Sequence, residues 1–235
     1  MPDPNSVLVV VAHPDDEVLG CGGTMARLAQ EGHEVQVAIL AEGMTSRSPQ
    51  REQADPKQLH HLHKQAQQAA DKLHVKEVVV ASLPDNRLDT VPLLEVVKLI
   101  EELIEKFRPE VIYTHHPGDL NVDHEVVHRA VLTATRPMPG QKVREIFAME
   151  VPSSTEWAFQ RLEPSFRPNV FVDITGTLET KISALACYDT ETRKFPHPRS
   201  PEALRAIAAR WGSVAGFHAA EAFELIRSLK PATCR

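Results

Sequence analysis

Glycine is scarce in this chain of 235 residues and a basic stretch is absent, and each of these features excludes a class of protein. Glycine accounts for 10 residues, below the usual share of about 7%, so the chain is not a flexible linker protein. Lysine and arginine number 26 against 32 aspartates and glutamates, which gives a net charge of -6 without any basic stretch. We therefore expect no nucleic-acid partner, because such partners are bound through a basic surface. Hydrophobic residues make up 42% of the chain, a normal share for a globular protein.

Cysteines and long apolar runs are also few. Cys21, Cys187 and Cys234 are widely spaced and form no CxxC motif, which is typical of free thiols in a reducing compartment. The apolar run at residues 7–12 is far shorter than the roughly 20 residues that span a bilayer. The first residues, MPDPNS, lack the basic and apolar pattern of a secretion signal. We expect a cytoplasmic protein without a stable membrane anchor.

Buried strands alternate with helices over the first half of the chain. The β-branched run at residues 7–12 is continuous, as in a strand that is buried on both faces of a parallel sheet. Residues 41–56 are polar and aperiodic, and we interpret them as a loop. Further strands are predicted at 34–40, 77–81 and 111–114, and helices at 24–31, 57–73 and 93–107. This alternation predicts an α/β fold with a mostly parallel sheet flanked by helices.

The last third of the sequence is less regular. We predict strands at 143–151 and 170–174, which are candidates for an antiparallel extension of the sheet. Helices are predicted at 181–188, 201–211 and 219–229. No linker or internal repeat interrupts the chain, so residues 1–235 are expected to form a single domain with a less regular C-terminal extension.

Polar clusters follow two of the predicted strands. HPDDE follows the first strand, and HHPGDLNVDH follows the fourth. Ligands of parallel sheets bind beyond the carboxyl ends of the strands, so the two clusters are expected to meet. His13, Asp16 and His124 then offer two imidazoles and a carboxylate to one cation and leave coordination positions open, as a catalytic metal site requires. The same set suits zinc and also non-haem iron.

Asp15 stands beside the candidate ligand Asp16, and successive side chains in an extended turn point in different directions. It is therefore predicted to take a proton from a water that the metal acidifies, during attack on a carbonyl carbon. A plainer interpretation is that Asp15 or Asp16 only caps the following helix. The second polar cluster disfavours that interpretation, and a carboxylate placed for proton transfer favours hydrolysis over oxygen chemistry.

HPDDE at residues 13–17, followed by GCGGT at 20–24, resembles the signature of the LmbE-like, or PIG-L, family of metal-dependent deacetylases. The resemblance extends through the second cluster, FVDI at 171–174 with Lys181 after it, and AEAF at 220–223, so it covers nearly the whole chain. It implies a Rossmann-like fold and hydrolysis of the acetamide of an N-acetylglucosamine-type conjugate to a free amine and acetate. The implied partner is a small-molecule amino sugar.

The resemblance also implies roles for individual residues. His13, Asp16 and His124 would hold Zn²⁺, with other divalent metals such as Fe²⁺ as alternatives. Asp15 would be the general base, and Asp123 would be a carboxylate that orients a neighbouring group.

Two departures from the family pattern change what is expected. Asn121 stands where many members carry a histidine thought to stabilise the oxyanion or to act as an acid. An asparagine can donate a hydrogen bond to an oxyanion but cannot protonate an amine. The acid role then falls to Asp15, which we favour, or to one of three histidines, His115, His116 and His197. HHLHKQ at residues 60–65 replaces an arginine and a glutamate that many members use for substrate hydroxyls, so sugar recognition is expected to differ.

Arg87, His197 and Arg199 are the candidate substrate-binding residues. Arg87 follows a predicted strand and suits a phosphate or carboxylate, although residues 85–87 also fit a loop held by its own hydrogen bonds. The two prolines of PHPRS at 196–200 fix the directions of His197 and Arg199, either toward a pocket or in a plain turn before the next helix.

The sequence indicates three candidate functions. The leading one is a zinc-dependent deacetylase of an N-acetylated amino sugar, and the alternative is a zinc metalloamidase that acts on a non-acetyl or non-sugar amide. A non-catalytic nucleotide or sugar binder is disfavoured, because Gly20, Gly22 and Gly23 do not match GxGxxG and the neighbouring aspartates would repel a phosphate. The sequence leaves the oligomeric state open, and a homo-oligomer is compatible with it.

Overall fold

Seven strands and six α-helices make up the computed structural model, which describes residues 6–45 and 55–230. Two short 3₁₀ helices, Leu88–Thr90 and Glu156–Ala158, lie between them. The strands are β1 (Ser6–Val11), β2 (Glu34–Ala41), β3 (Glu77–Leu83), β4 (Val111–His115), β5 (Glu145–Met149), β6 (Val170–Asp173) and β7 (Ala220–Ser228). The helices are α1 (Asp16–Gln30), α2 (Pro56–Lys72), α3 (Leu93–Phe107), α4 (Val122–Ala134), α5 (Leu178–Leu185) and α6 (Pro201–Ala215).

The strands form one sheet in the order β3-β2-β1-β4-β5-β7-β6. The first five of these positions are parallel to one another, and β7 runs antiparallel to both of its neighbours. The predicted α/β class with a mostly parallel sheet is therefore confirmed. The chain runs outward from β1 to β3 and then returns to place β4 on the other side of β1. This reversal opens a crevice at the carboxyl ends of β1 and β4, where ligands of such sheets bind.

Strand β1 is buried on both faces because helices cover both sides of the sheet. Val7, Val9 and Val11 face the apolar cluster that includes residues of α1 and α2. Leu8 and Val10 face the opposite cluster, which is built with α3 and α4. This arrangement explains the continuous apolar run at residues 7–12, since a strand with one wet face would alternate instead. No helix among the described residues is long and apolar enough to cross a bilayer.

Helix α1 begins at Asp16, eight positions before the start predicted from the sequence. Its glycines serve close packing, because a Cβ on Gly20 would lie 2.5 Å from the Met149 sulfur and one on Gly23 would lie 2.8 Å from the Ile174 side chain. The helix is kinked at Cys21, where φ is -144°. The glycine-rich segment is therefore a tightly packed first half of the helix, and the predicted end near Gly32 is correct, with a φ of +90° at that glycine.

The predicted helix at 219–229 is wrong, because this segment is strand β7. Alanine, glutamate and leucine in AEAFELIRS favour a helix when considered locally. Here the segment lies between β5 and β6 and pairs with both, so sheet formation overrides the local preference. The antiparallel extension predicted for the last third exists as this β5-β7-β6 arrangement. Most of the predicted loop at 41–56 lies outside the described residues.

Candidate functional site

A cavity of about 540 Å³ opens at the crevice beyond β1 and β4. Residues 13–16, which follow β1, line one wall, and residues 120–122 with His124, which follow β4, line another. The two polar clusters of the sequence therefore meet here, as predicted from the ends of their strands. Ser153, Ser154 and Trp157 after β5 and Arg199 before α6 also line the cavity.

His13, Asp16 and His124 converge at the base of this cavity. His13 Nδ1 and His124 Nε2 each lie 3.2 Å from Asp16 Oδ2, and the three candidate ligand atoms lie within 4.8 Å of one another. The buried His124 Nε2 makes no hydrogen bond of good geometry with the described residues. Two imidazole nitrogens and one carboxylate oxygen directed at the same point form a donor set that could hold a divalent cation. The donor set suits zinc or another divalent transition metal.

The raised pKa values of the two histidines also indicate a site that favours positive charge. Burial disfavours the charged form of His13, but its hydrogen bond to Asp123 and the nearby Asp16 raise its pKa to about 10. Burial likewise opposes a charge on His124, while Asp16 and Asp119 raise its pKa to about 9. The surrounding carboxylates thus favour positive charge at this point, whether it is carried by protons or by a metal ion.

A carboxylate lies close to the second ring nitrogen of each histidine. His13 Nε2 lies 3.0 Å from Asp123 Oδ2, and the other oxygen of Asp123 accepts a hydrogen bond from the Leu88 amide at 2.8 Å. His124 Nδ1 lies 3.1 Å from Asp119 Oδ2. Such outer carboxylates select the tautomer that presents the opposite nitrogen to a metal. The orienting role expected for Asp123 therefore has a geometric basis.

Asp119 was missed by the sequence reasoning, although it lies inside the HHPGDLNVDH cluster that signalled the site. Its carboxylate accepts hydrogen bonds from Thr155 Oγ1 at 2.7 Å, from the Asn121 amide at 2.9 Å and from the Ser154 hydroxyl. Burial would raise its pKa, but His124 and these hydrogen bonds lower the pKa to about 2. The signal available was its place five residues before His124, in the loop that leads into α4.

Asp15 faces the cavity from a strained backbone position. Its φ is +98°, which is uncommon for a residue with a side chain. Its backbone N–H donates to Glu17 Oε2 at 3.0 Å, and the buried Tyr188 hydroxyl donates to Glu17 Oε1 at 2.6 Å. The Glu17–Tyr188 pair thus holds the Asp15 backbone in this conformation, and Asp15 is not among the three candidate metal ligands.

Arg199 holds the Asp15 carboxylate directly. Arg199 Nη1 donates to Asp15 Oδ2 at 2.6 Å and lies 3.4 Å from Glu191 Oε2, while its Nε donates to Ser153 Oγ at 2.7 Å. Burial raises the pKa of Asp15 well above its usual range, against the opposing effect of Arg199. The increased proton affinity favours Asp15 as a proton acceptor.

Asn121 lines the cavity at the start of α4. Its side-chain Oδ1 accepts a hydrogen bond from the Asp123 amide at 2.9 Å, which caps the helix. Its Nδ2 donates to Asn86 Oδ1 at 2.9 Å. Because an amide nitrogen carries two hydrogens, one remains for an oxygen in the cavity. This geometry is compatible with the predicted oxyanion role.

Of the three predicted substrate-binding residues, one lines the cavity and two do not. Arg87 is exposed and lies outside the cavity lining, whereas the preceding Asp85 and Asn86 belong to it. His197 is half-buried and also lies outside the lining, where its ring packs edge-on against Trp157 with centroids 5.5 Å apart. Arg199 does line the cavity, but its close partner is Asp15.

Two further histidines considered as acids do not line the cavity. His115 Nε2 accepts a hydrogen bond from the Ala12 amide at 2.8 Å, and its ring stacks on His124 with centroids 3.8 Å apart. His116 lies between Glu224 Oε2 and the Pro164 carbonyl, each at 2.8 Å. Among the acid candidates drawn from the sequence, Asp15 is therefore the one that lines the cavity in the described residues.

The fold is of the α/β class, and its cavity holds a candidate metal site formed by His13, Asp16 and His124. Residues 8–135 match the family PIG-L, described as GlcNAc-PI de-N-acetylase. The chain belongs to this family. The predicted family and enzyme class, a deacetylase and therefore a hydrolase, are confirmed.

Several known proteins are similar to the chain over most of its length. "Uncharacterized deacetylase YaiS" of Escherichia coli is 28% identical over 76% of this chain and 88% of its own. Diacetylchitobiose deacetylase of Thermococcus kodakarensis is 25% identical over 95% of this chain and 84% of its own. The solved N,N'-diacetylchitobiose deacetylase of Pyrococcus horikoshii has a TM-score of 0.75 at 22% identity and covers 98% of this chain and 88% of its own.

One relative carries a different activity in its name. 4-Oxalmesaconate hydratase of Pseudomonas putida is 26% identical over 77% of this chain and 72% of its own. The same fold is thus used for more than one reaction, and the reaction of this chain has to be argued from its site.

Proposed function

We propose that this protein hydrolyses the acetamide of an N-acetylglucosamine-type conjugate and releases acetate and a free amine. The proposal rests on one observation: the cavity holds a candidate metal site and, in addition, a carboxylate that is not part of that site. His13, Asp16 and His124 form a candidate metal site, while Asp15 stands apart from it, held by Arg199 at 2.6 Å. The description of the family as GlcNAc-PI de-N-acetylase supports the choice of an N-acetylated amino sugar.

His13 Nδ1, His124 Nε2 and Asp16 Oδ2 would hold the metal, with Zn²⁺ as the expected ion. When bound, the metal supplies Lewis acidity to the acetamide oxygen and to water. Asp123 and Asp119 keep the two imidazole rings in the orientation that this binding requires.

Asp15 moves the proton in the proposed reaction. As water attacks the acetyl carbon, the Asp15 carboxylate takes one proton from it, and one hydrogen of the Asn121 amide supports the developing oxyanion. The protonated Asp15 then gives that proton to the sugar nitrogen as the C–N bond breaks. The oxygen of water remains in the acetate, and the sugar leaves as a free amine. One residue therefore serves as base and then as acid, which suits a site with Asn121 in place of a histidine.

The test is acetate release from N-acetylglucosamine and its methyl glycoside, measured with zinc-loaded protein and with an Asp15→Asn variant of matched zinc content. The proposal predicts release by the wild-type protein and its loss in the variant. If zinc-loaded wild-type protein released no acetate from any N-acetylated sugar but cleaved another amide, the metalloamidase alternative would replace this proposal.

A further inference from the structure

His115 is a buried histidine that touches the candidate metal site without lining the cavity. It is the last residue of β4, and its side chain is 0% exposed. Its ring stacks on the ring of the candidate ligand His124, with centroids 3.8 Å apart and planes inclined by only 8°. Asp119 lies at the edge of the same His124 ring, 3.1 Å from Nδ1. The ring of His124 is therefore held at one edge by Asp119 and covered on one face by His115.

The ring of His115 also reaches the segment that carries His13. The register pairs of β1 and β4 end at Val9 and Tyr113, although both strands continue beyond them. Past this point the buried amide of Ala12, which directly precedes His13, donates to His115 Nε2 at 2.8 Å. The side chain thus gives a partner to a backbone group that burial would otherwise leave unpaired, at the place where the crevice opens.

These two contacts explain why the residue is a histidine. Because Nε2 accepts a hydrogen bond from an amide, it carries no proton, and the ring is the neutral tautomer with its proton on Nδ1. Nε2 lies 3.6 Å from Asp16 Oδ2, too far for a hydrogen bond, and its lone pair is used by Ala12. The stack requires a flat ring, and the Ala12 amide requires an acceptor. Phenylalanine would supply only the ring, and glutamine only the acceptor.

We propose that His115 is a positioning residue of the metal site, which sets the ring of His124 against the segment that carries His13. The two imidazoles come from segments that are more than a hundred residues apart in the chain, and His115 contacts both segments. The inference rests on the candidate ligand set that the proposed function uses. It does not depend on which amide the protein cleaves.

The experiment measures metal binding by the full chain, prepared without metal, in the wild-type protein and in His115→Gln. Zinc affinity is obtained by competition with a chromogenic chelator, and the visible absorption of the cobalt-loaded protein reports the geometry of the ligands. His115→Gln keeps an acceptor for the Ala12 amide but removes the stacked ring. We expect zinc affinity to fall by about tenfold and the cobalt bands to change in position or intensity, because His124 is less firmly oriented.

His115→Phe separates the stack from the hydrogen bond. It keeps a ring against His124 but leaves the Ala12 amide without its acceptor. We expect zinc affinity within a few-fold of the wild type and a lower melting temperature of the metal-free protein, because a buried amide then lacks a partner. A larger loss of zinc affinity in His115→Phe than in His115→Gln would overturn the stack as the positioning contact. If His115→Gln did not fold, a loss of tenfold or more in His115→Phe would overturn it as well.

His116→Gln is the matched control, because it removes the next imidazole of the chain, whose side chain is also 0% exposed. Its partners are Glu224 and the Pro164 carbonyl, neither of which belongs to the candidate ligand set. Zinc affinity and the cobalt spectrum of this variant should match those of the wild type, whatever the change in its melting temperature. Equal losses in His115→Gln and His116→Gln would overturn the proposal, since the loss of any buried imidazole would then account for both.

The remaining outcomes separate this inference from the proposed function. Wild-type zinc affinity and an unchanged cobalt spectrum in His115→Gln would overturn the positioning role and leave the ligand set intact. A wild-type protein that bound neither zinc nor cobalt would refute the ligand set and this inference with it. Acetate release enters none of these measurements, so the proposed deacetylation stands or falls on its own test.

Discussion

The two regions of the molecule that meet at the cavity contribute different kinds of residues. The region that matches the family, residues 8–135, provides the candidate metal ligands and the two carboxylates behind them. The region after it provides Arg199, Tyr188 and Trp157, which hold Asp15 or line the cavity mouth. In the proposed reaction, the first region would hold the metal and carry the proton, and the second would position Asp15 and form part of the cavity wall.

The second region also holds helix α1 in place. Glu221 on β7 accepts hydrogen bonds from the Gly23 and Thr24 amides at 3.0 and 2.7 Å, directly after the kink at Cys21. Lys181 donates to the same carboxylate at 2.6 Å and to the Leu19 carbonyl at 2.8 Å. Backbone groups that the kink would leave without partners are therefore satisfied by a buried ion pair from the other region.

The largest effect is expected in the first region, at Asp15. Asp15→Asn keeps the shape of the side chain but cannot take a proton, so kcat should fall by about 10²–10⁴. Metal content, measured by atomic absorption, should stay at the wild-type level because Asp15 is not among the candidate ligands. Turnover within a few-fold of wild type would refute the role of Asp15.

The second largest effect is expected on the amount of metal that the protein binds. His13→Ala, Asp16→Ala and His124→Ala should each lower bound metal, and normal occupancy in all three would refute the ligand set.

Asp119→Asn should lower metal affinity by about 10–100-fold, because it weakens the orientation of His124. The exposed Asp89→Asn is the matched control and should bind metal as wild type does. Equal affinity in the two aspartate variants would leave Asp119 with only a structural role.

Arg199 provides the test that separates positioning from substrate binding. Arg199→Met removes the partner of the Asp15 carboxylate, so kcat should fall by about 10–100-fold with a smaller change in KM. Arg199→Lys should recover part of kcat, since it keeps the charge but not the planar fork. An increase in KM with unchanged kcat would instead support the substrate-binding role predicted from the sequence.

The smallest effect is expected at Tyr188. Tyr188→Phe removes the hydroxyl that holds Glu17 and, through it, the Asp15 backbone, so kcat should fall by about fivefold to tenfold with metal content unchanged. Tyr113→Phe is the matched control, because this tyrosine is also buried but lies in β4 away from Asp15. Equal kcat in the two variants would refute a positioning role for the Glu17–Tyr188 pair.

Much of the first region could be predicted from the sequence because its signals are local. A continuous β-branched run indicates a strand buried on both faces, and polar clusters at the ends of two such strands predict where His13, Asp16 and His124 meet. The start of α1 was placed too late because its glycines resemble a turn until the side chains of Met149 and Ile174 are known. Close packing between distant segments leaves no periodic pattern.

The second region was less predictable because its contacts join residues far apart in the chain. Arg199 was recognised as a site residue, but its partner Asp15 is 184 positions away and no spacing rule connects them. Tyr188 gave no signal, since its hydroxyl is used 171 positions away, at Glu17. The strand β7 was predicted as a helix because only its neighbours β5 and β6 determine its conformation.

The measurement that tests the central claim most directly is the reaction of zinc-loaded protein with methyl N-acetylglucosaminide in water enriched in oxygen-18. Mass spectrometry of both products then shows which bond was broken and where the oxygen of water went. The proposed deacetylation predicts acetate that carries one labelled oxygen and an unlabelled glycoside with a free amine. Label in the sugar, or turnover without release of acetate, would contradict it.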